Sequence, residues 1–252
     1  MFLNKVSSKF KNKSLSQILF LLIYFLKNFR TIYIYHKALR QQSIQDRFVS
    51  IYKNNLWRSK ESVSGTGSEI AYTQNLRNWL RIAINKYSFN KICDAPCGDF
   101  NWMRLVMENQ NIEYFGYDIV PELIQRNNNL FSNDRIKFVH CNICVDKIED
   151  CDLLIVRDIL FHLSFSDINL FLKNISSVRY KFMLTTSHIT ASTFLNFDIK
   201  SGDFRKLNIF SYPFSFKREN IVESINDFPL EYEFPREMVL ISKIDVPTSL
   251  DI

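Results

Sequence analysis

A glycine and an acidic residue lie at a spacing that suits nucleoside binding. The segment 94–100 reads DAPCGDF, and Gly98 within it lets the backbone approach a ligand closely. Asp118 comes 20 residues after Gly98, at the end of the next strand-like run. A carboxylate at that position of a parallel sheet accepts hydrogen bonds from the ribose hydroxyls. Because the full G-x-G-x-x-G pattern is absent, the sequence favours a nucleoside without phosphates over NAD or FAD.

Three side chains further along are candidates for a general base. Asp158 and His162 are four residues apart, so they share one face if 158–163 is helical. His188 follows the fifth strand-like run, on the side where ligands bind in a parallel sheet. Each has a structural alternative, since Asp158 can pair with Arg157 and either histidine can orient a loop from a buried position. We expect these residues to form the catalytic group, with one of them taking a proton.

Strands and helices alternate along the middle of the chain, which predicts a three-layer α/β domain with a mostly parallel sheet. The expected strands are 91–95, 112–119, 136–142, 152–156 and 181–187. The expected helices are 68–86, 100–108, 121–128 and 164–175. The last part differs, because strand-like runs at 230–234 and 238–244 are joined only by Pro235, Arg236 and Glu237. That pattern predicts a C-terminal antiparallel pair.

Positive charge is concentrated at the start of the chain. Residues 1–60 hold 12 Lys and Arg and one acidic residue, whereas the rest holds 20 basic and 25 acidic residues. The sequence thus predicts a basic, partly apolar helical arm over 1–59 and a mildly acidic body over 60–252, which does not suit nucleic acid. The apolar run 18–26 covers about 13 Å as a helix, less than half of a roughly 30 Å bilayer core. Two alternatives stay open: residues 1–45 lie on an anionic membrane surface, or the run packs on the body or on a second subunit.

The cysteines indicate a reducing compartment. Their number is odd, and they occupy positions 93, 97, 141, 144 and 151. A disulfide framework is not indicated, so the sequence favours the cytoplasm. A zinc site is not expected either, because Cys93 and Cys141 belong to strands and their thiolates would have to leave the sheet to converge. The oligomeric state is left open.

Four segments together resemble the class I S-adenosylmethionine-dependent methyltransferases. They read ICDAPCGDFNWM from residue 92, EYFGYDIVPELI from 113, IKFVHCNI from 136 and CDLLIVRDILFHLS from 151. The resemblance covers about residues 90–185. It implies a Rossmann-like fold with the strand order 3-2-1-4-5-7-6, S-adenosylmethionine as cofactor, and methyl transfer as the activity.

The resemblance also assigns roles to single residues. Asp118 and Ile119 would hold the ribose, and Asn142 and Ile143 would flank the adenine. Arg157 would contact the cofactor and, with Asp158, face the acceptor. In the first segment, the residues expected to wrap the methionine and ribose are Asp94, Ala95, Pro96, Cys97, Gly98, Asp99, Phe100 and Trp102.

The chain departs from the family's pattern at two positions, and from a metal-binding pattern of some members at a third. The first loop usually holds two or three glycines and here holds one. Asn142 stands where the family often has Asp, although an amide can still accept a hydrogen bond from the adenine amino group. Some members bind Mg²⁺ through a Glu-x-x-Glu-His pattern, but Phe161 occupies the middle acidic position here. No metal is therefore expected, with Mg²⁺ on Asp158 and His162 left as the alternative.

The flanking segments 57–68 (WRSKESVSGTGS) and 197–208 (FDIKSGDFRKLN) resemble a bacterial subgroup that methylates sugars in capsule or other surface-polysaccharide assembly. This implies O-methylation of a sugar or glycan acceptor by a cytoplasmic enzyme, free or peripheral on the inner face of the membrane. Asp203 and Arg205 would grip the acceptor, unless Arg205 forms a surface ion pair. The loop 64–68 would close over the cofactor or form only a turn before a helix.

Two other functions stay open. The first is a methyltransferase whose acceptor is a lipid, a quinone or a small metabolite. The apolar arm and the many aromatic residues would suit such an acceptor. The second is a non-catalytic methyltransferase-like module that binds a partner or a membrane, which the glycine-poor loop and Asn142 would suit.

Overall fold

The computed structural model describes residues 29–228 and 235–252. Within these ranges the chain forms one seven-stranded sheet in the order β3-β2-β1-β4-β5-β7-β6, which confirms the expected order. The strands are β1 Lys91–Asp94, β2 Glu113–Asp118, β3 Ile136–His140, β4 Leu153–Val156, β5 Phe182–His188, β6 Ile221–Asn226 and β7 Arg236–Ser242. The α-helices are α1 at residues 29–39, α2 Ile44–Lys53, α3 Gln74–Lys86, α4 Met103–Met107, α5 Pro121–Phe131 and α6 Phe165–Ser176.

Strand direction brings the ends of several strands to one edge. The neighbours from β3 through β2, β1 and β4 to β5 pair in parallel, whereas β7 pairs antiparallel with both β5 and β6. Among the described strands, only β7 runs against the others. The carboxyl ends of β1, β2, β4 and β5 therefore share the edge at which ligands bind in such sheets. The predicted Rossmann-like α/β fold is confirmed.

Successive residues of the central strands enter two hydrophobic cores, one on each face of the sheet. Leu154 and Val156 of β4 pack with α2 and α6, whereas Leu153 and Ile155 pack with α3 and α4. The alternation follows from the strand geometry, in which neighbouring side chains point to opposite faces. The sheet thus lies between two helical layers.

The helix ends follow local capping signals. The side chain of Ser164 accepts a hydrogen bond from the backbone N–H of Asp167 at 3.2 Å and starts α6, as the sequence predicts. Pro121 occupies the first turn of α5, where its missing N–H costs nothing. The helices expected at 68–86 and 100–108 are shorter, beginning at Gln74 and Met103, because the residues before them form loops around the site described below.

The described part of the arm packs on the body. Ala38 and Ile51 are fully buried, and with Phe48 they belong to the same core as Leu154. The apolar run 18–26 lies outside the described residues. Among those that are described, no helix is long and apolar enough to cross a membrane. The boundary at residue 59 stays a prediction, with side chains on both sides of it sharing one core.

The C-terminal antiparallel pair uses a different strand from the one predicted. β7 pairs with residues Ile221–Asn226, to which the sequence pattern assigned no element, and the predicted strand 230–234 lies outside the described residues. Arg236 and Glu237, expected in a connecting turn, are the first residues of β7 and are buried. A buried strand tolerates both charges because each is paired with an opposite charge.

Candidate active site

A cleft with a volume of about 270 Å³ opens at the carboxyl ends of β1, β2 and β4. Four segments supply most of its lining: the loop after β1, residues 118–123 from the end of β2, the loop 63–68, and the turn after β4. Its lining residues are Phe48, Tyr52, Trp57, Val63, Ser64, Gly65, Thr66, Gly67, Ser68, Asp94, Pro96, Cys97, Gly98, Trp102, Asp118, Ile119, Val120, Leu123, Arg157, Asp158, Ile159, Phe161, His162, Phe204 and Arg236. Most of the predicted cofactor residues therefore meet in one cleft.

Asp118 lies at the end of β2 and lines the cleft. Its two carboxylate oxygens accept backbone N–H groups, Oδ2 from Gly98 at 3.2 Å and Oδ1 from Val120 at 3.0 Å. Burial raises the pKa of this carboxyl to about 6, in spite of these hydrogen bonds. Each oxygen has a further lone pair, so Asp118 can accept two hydroxyl donors from a ligand.

Asp94 ends β1 and lines the same wall. Tyr114 donates a hydrogen bond from its hydroxyl to Asp94 Oδ2 at 2.8 Å. Burial raises the pKa of Asp94 to about 7, and the nearby charges of Arg157 and Asp118 shift it in opposite directions. A cationic group of a ligand in the cleft would stabilise the ionised carboxylate.

The loop after β1 is fixed by its glycine and by the loop 62–64. Gly98 has a φ of +56°, and a Cβ there would lie 2.3 Å from Ser64 Oγ, so no larger residue fits. Asp99 accepts hydrogen bonds from Ser62 Oγ at 2.9 Å and from the Val63 N–H at 3.0 Å. The loop 64–68 is thereby held beside the cleft and lines it, and its closure over a cofactor stays a prediction.

Three residues of the first segment lie outside the cleft lining. Asp99 spends its carboxylate on the loop 62–63. Phe100 is buried against Tyr114 and two other aromatic rings behind the loop. Ala95 is fully buried, and its N–H donates to the Ile155 carbonyl. These three residues thus shape the loop in this structure, and the cofactor contacts expected of them stay predictions.

The residues expected at the adenine form a shallow apolar slot beside the cleft. Asn142 and Ile143 line it together with Ile119, which lines the cleft as well. The amide oxygen of Asn142 accepts the Cys144 N–H at 3.1 Å and keeps one lone pair. The slot continues the cleft beyond Asp118, as a base attached to a ribose would require.

A network of four charged side chains lies at the floor of the cleft, with Arg157, Arg236 and Asp227 buried and Asp158 partly exposed. Asp158 Oδ2 lies 3.2 Å from Arg157 Nη1 and 2.9 Å from Arg236 Nη1. Asp227 Oδ2 lies 2.9 Å from Arg157 and 3.4 Å from Arg236. Two positive and two negative charges thus offset one another. The ring of Trp102 adds a cation–π contact with Arg157, 5.4 Å from the centroid.

This network makes Asp158 a weak base. Desolvation acts against its ionised form, but Arg157 and Arg236 outweigh it and hold the pKa of Asp158 below its ordinary value. The hydroxyl of Thr186 also donates to Asp158 Oδ1 at 2.9 Å. A carboxylate so fully engaged positions its neighbours and does not readily take a proton.

His162 has the geometry of a general base. Its Nδ1 lies 2.7 Å from the main-chain carbonyl of Asp203, and because a carbonyl only accepts, Nδ1 carries the proton. Nε2 is then an acceptor with a free lone pair. Burial holds the pKa of His162 below 6.5, so the ring is neutral at neutral pH. Trp57 and Phe204 flank it, with ring centroids 5.7 and 5.8 Å away.

The turn that carries Asp158 and His162 is not the helix on which their predicted shared face depended. Residues Leu160–His162 form one turn of 3₁₀ helix, and Asp158 has a φ of +58°. Both side chains still line the cleft.

Three further candidates lie outside the cleft lining. His188 is buried, its Nδ1 accepts the Leu207 N–H at 3.2 Å, and desolvation lowers its pKa to about 4. Asp203 binds the hydroxyl of Tyr35 through its side chain. Arg205 is buried over the ring of Phe165. None of the three is among the residues that line the cleft, and the catalytic and acceptor roles expected of them stay predictions.

Arg236 and Asp227 are functional candidates that the sequence analysis missed. Both come from the C-terminal part, and only the tertiary fold brings them to the residues after β4. One signal in the sequence could have found Arg236. It and Glu237 directly precede the run 238–242, and unpaired charges at the start of a buried strand would be costly. Among the described residues, no group of three or more His, Cys, Asp or Glu side chains could hold a metal ion.

Comparison with solved structures identifies the class of fold. A didemethyltoxoflavin N1-methyltransferase from Burkholderia thailandensis matches with a TM-score of 0.57 and 14% identity over 79% of this chain and 86% of that one. Human N-acetylserotonin methyltransferase matches with a TM-score of 0.51 and 13% identity over 84% of this chain and 66% of that one. Magnesium protoporphyrin IX methyltransferase from Synechocystis PCC 6803 matches with a TM-score of 0.51 and 10% identity over 73% of this chain and 85% of that one. The first and third were solved with bound S-adenosylhomocysteine and the second with S-adenosylmethionine.

At these identities the likeness shows the fold alone. The chain has the Rossmann-like fold of S-adenosylmethionine-dependent methyltransferases, whose members in this comparison act on varied substrates. Neither a family model nor a curated protein matches the sequence.

Proposed function

We propose that the protein is an S-adenosylmethionine-dependent O-methyltransferase that acts on a hydroxyl of a sugar or a sugar-linked group in capsular or surface-polysaccharide biosynthesis. One observation carries the proposal. The cleft that holds Asp118, a ribose acceptor, also holds His162, whose Nδ1 contact leaves Nε2 free to take a hydroxyl proton. A nucleoside site and a base in one cleft fit transfer from a nucleoside cofactor to a hydroxyl.

The residues present fit this cofactor. Asp118 offers one free lone pair on each oxygen to the two ribose hydroxyls, and the slot at Ile143 is apolar, as a purine requires. Asp94 is a buried carboxyl whose raised pKa indicates that a positive partner would stabilise it, such as the ammonium of the methionine part. Asp94, Asp118 and Ile143 would thus hold the three parts of the molecule.

The protein's own part in the reaction is positioning and one proton transfer. Bound S-adenosylmethionine would supply a methyl group on a positively charged sulfur. The hydroxyl oxygen would attack the methyl carbon, and the sulfur would leave with the electron pair of the carbon–sulfur bond as S-adenosylhomocysteine. His162 Nε2 accepts the hydroxyl proton as the oxygen–carbon bond forms, which contributes about 10²–10⁴ to the rate. Asp158 and Arg157 lie at the floor of the cleft, and the loop 64–68 lines it.

The acceptor end of the cleft supports a neutral ring compound. Trp57 and Phe204 flank His162, so a ring that presents its hydroxyl to Nε2 contacts aromatic faces. The four charges on the floor cancel, so an acidic acceptor gains no counter-ion there. Both flanks that resemble the sugar-methylating subgroup contribute to this end, one through Trp57 and the other through Phe204.

A second candidate is a small aromatic metabolite or a quinol. The aromatic lining favours it, because Phe48, Tyr52 and Phe161 add further ring surface to the cleft. Such an acceptor would use the same base and the same cofactor site. Only the acceptor distinguishes the two candidates.

The test is methyl transfer from radiolabelled S-adenosylmethionine to matched sets of acceptors. One set holds neutral nucleotide sugars and oligosaccharides, and the other holds phenols and quinols of similar size. We expect label on a sugar with the wild type and a loss of about 10²–10⁴ with His162→Asn. Label only on the aromatic set would replace the sugar by the second candidate. No binding of S-adenosylhomocysteine would favour the non-catalytic module.

We further propose a cytoplasmic enzyme whose residues 1–45 contact the inner face of the membrane. The arm's excess of positive charge supports this, as do Phe29, Ile32 and Tyr33, which expose more than half of their surface. The full chain should co-sediment with anionic vesicles and much less with neutral ones. Replacing Lys5, Lys9, Lys11 and Lys13 by Gln should reduce the anionic pelleting, and equal pelleting would contradict membrane contact.

A further inference from the structure

The contact that fixes the His162 tautomer depends on one short segment. His162 Nδ1 donates to the Asp203 carbonyl, and the Gly202 N–H donates to the His162 carbonyl at 2.7 Å. The Arg205 N–H donates to the Phe161 carbonyl at 3.2 Å. These three hydrogen bonds join the turn after β4 to the segment 202–205. A shift of Asp203 would move its carbonyl away from His162 Nδ1.

Asp203 is held in turn by α1. The hydroxyl of Tyr35 donates to Asp203 Oδ1 at 2.7 Å, and the same oxygen accepts the Phe204 N–H at 2.8 Å. Burial and the neighbouring carboxylate raise the pKa of Tyr35 above its ordinary value, so the hydroxyl keeps its proton and remains a donor. Asp203 therefore bridges Tyr35, through its side chain, to His162, through its carbonyl.

The helix that carries Tyr35 is itself anchored at this point. Ala38 of α1 is fully buried in the sheet's core. Leu39 packs beside Gly202, since a Cβ built on that glycine would lie 3.2 Å from Leu39 Cδ2. Tyr35 thus holds Asp203 from a fixed position and not from a loose extension of the chain.

We propose that Tyr35 is a positioning residue for the reaction. Through Asp203 it keeps His162 in the Nδ1-protonated tautomer, with Nε2 unprotonated toward the acceptor. The N-terminal arm is thereby part of the catalytic arrangement. The expected effect of Tyr35 on the rate rests on the proposed function, but the effect of Tyr35 on the His162 tautomer can be measured without any acceptor.

The experiment compares Tyr35→Phe with Tyr33→Phe, which removes the same hydroxyl from an exposed position of the same helix. Nitrogen-15 NMR of the full chain reads the tautomers directly, because the protein has only four histidines and His162→Asn identifies the signals of His162. In the wild type and in Tyr33→Phe we expect a protonated Nδ1 and an unprotonated Nε2. In Tyr35→Phe and Asp203→Ala we expect a mixture of both tautomers.

Kinetics supply the second measurement. Tyr35→Phe should lower kcat about tenfold and leave the KM for S-adenosylmethionine unchanged, since only the base is displaced. The double variant with Asp203→Ala should be no slower than the slower single variant, because both act on one contact. Loss of one hydrogen bond to a carboxylate should lower Tm by about 3–12 °C, and thermal unfolding checks that the variant is folded at the assay temperature.

A wild-type tautomer in Tyr35→Phe would overturn the inference, whichever acceptor the enzyme uses. An altered tautomer with an unchanged kcat would also overturn it. If the wild type transferred no methyl group to any acceptor, the proposed function would fail, while the tautomer comparison would still decide whether Tyr35 sets the imidazole.

Discussion

Asp158 Oδ2 lies 2.9 Å from Arg236 Nη1 and bridges the turn after β4 to the start of β7. The same oxygen lies 3.2 Å from Arg157, so one carboxylate serves two buried guanidinium groups. This arrangement explains why Asp158, although it lines the cleft, is better suited to holding the site together than to taking a proton. It also makes the catalytic roles of Asp158 and His162 separable by experiment.

Asp158→Asn should lower stability more than it changes the chemistry of proton transfer. Removing one partner leaves two buried arginines with one carboxylate, a change that costs on the order of 3–5 kcal/mol at buried pairs. We expect a lower Tm in thermal unfolding, with an acidic limb of the pH–rate profile like that of the wild type. Asp150→Asn, which removes an exposed partner of Arg179, is the control and should change Tm little. Equal Tm values for the two variants would contradict the bridging role.

His162→Asn should remove the base and leave the cofactor site intact. In the wild type, kcat/KM should fall as the pH drops through the pKa of His162, which burial places below 6.5, because protonated Nε2 cannot accept. The variant should lose about 10²–10⁴ in kcat and lose this acidic limb. His140→Asn, at an exposed site on β3, should behave as the wild type. A retained limb in His162→Asn would mean that another group titrates.

Stabilisation by S-adenosylhomocysteine should increase with pH. Burial raises the pKa of Asp118 to about 6 and of Asp94 to about 7, so these groups favour the folded state when protonated. The stability that these two carboxyls contribute is fully present below pH 3.8 and is lost as the pH rises through about 6 and about 7. Ligand donors stabilise the ionised carboxylates, so the ligand should raise Tm by about 5–10 °C near pH 8 at 100 times Kd.

The same ligand should raise Tm less at about pH 5, where Asp118 and Asp94 are mostly protonated and accept hydrogen bonds less well. Thermal unfolding at the two pH values measures the difference. Asp118→Asn should give a small shift at both. A shift that is larger at the lower pH would contradict the assignment of these carboxyls to the cofactor.

Much of the fold could be predicted from the sequence, because its signals are local. Alternating strand and helix patterns indicated the parallel part of the sheet, and Ser164 and Pro121 marked helix starts that the structure has. The spacing from Gly98 to Asp118 placed both in one cleft, since it reflects the length of one strand–helix–strand unit.

The rest depended on contacts between distant parts of the chain. The strand Ile221–Asn226 is a half-exposed edge strand and carries a weaker apolar signal than 230–234. Arg236 resembled a turn residue because its partners, Asp158 and Asp227, are far away in sequence. Arg205 was expected at the acceptor from the resemblance of its segment and from residue type, and nothing local reveals that it is buried.

Gly67→Ala should disturb the loop over the cleft without affecting the core. A Cβ at Gly67 would lie 2.7 Å from Asp158 Oδ2 and 2.9 Å from Arg236 Nη2, so the loop must move away. We expect kcat/KM to fall about ten- to a hundredfold, mainly through a higher KM for S-adenosylmethionine. Ser68→Ala, in the same loop with no added atoms, should be near wild type in steady-state kinetics. Unchanged kinetics in Gly67→Ala would mean that the loop does not cover bound cofactor.

The place of β7 between β5 and β6 has a consequence for biosynthesis. The ribosome makes β7 after the other six strands, yet β7 pairs with β5 along its whole length. A truncated chain that stops before residue 236 exposes the edge of β5, whose Met183 and Leu184 are fully buried in the complete sheet, and open apolar edges promote aggregation. It also lacks the guanidinium that pairs with Asp158. A chain truncated there is therefore expected to leave β5 as an open edge and to aggregate.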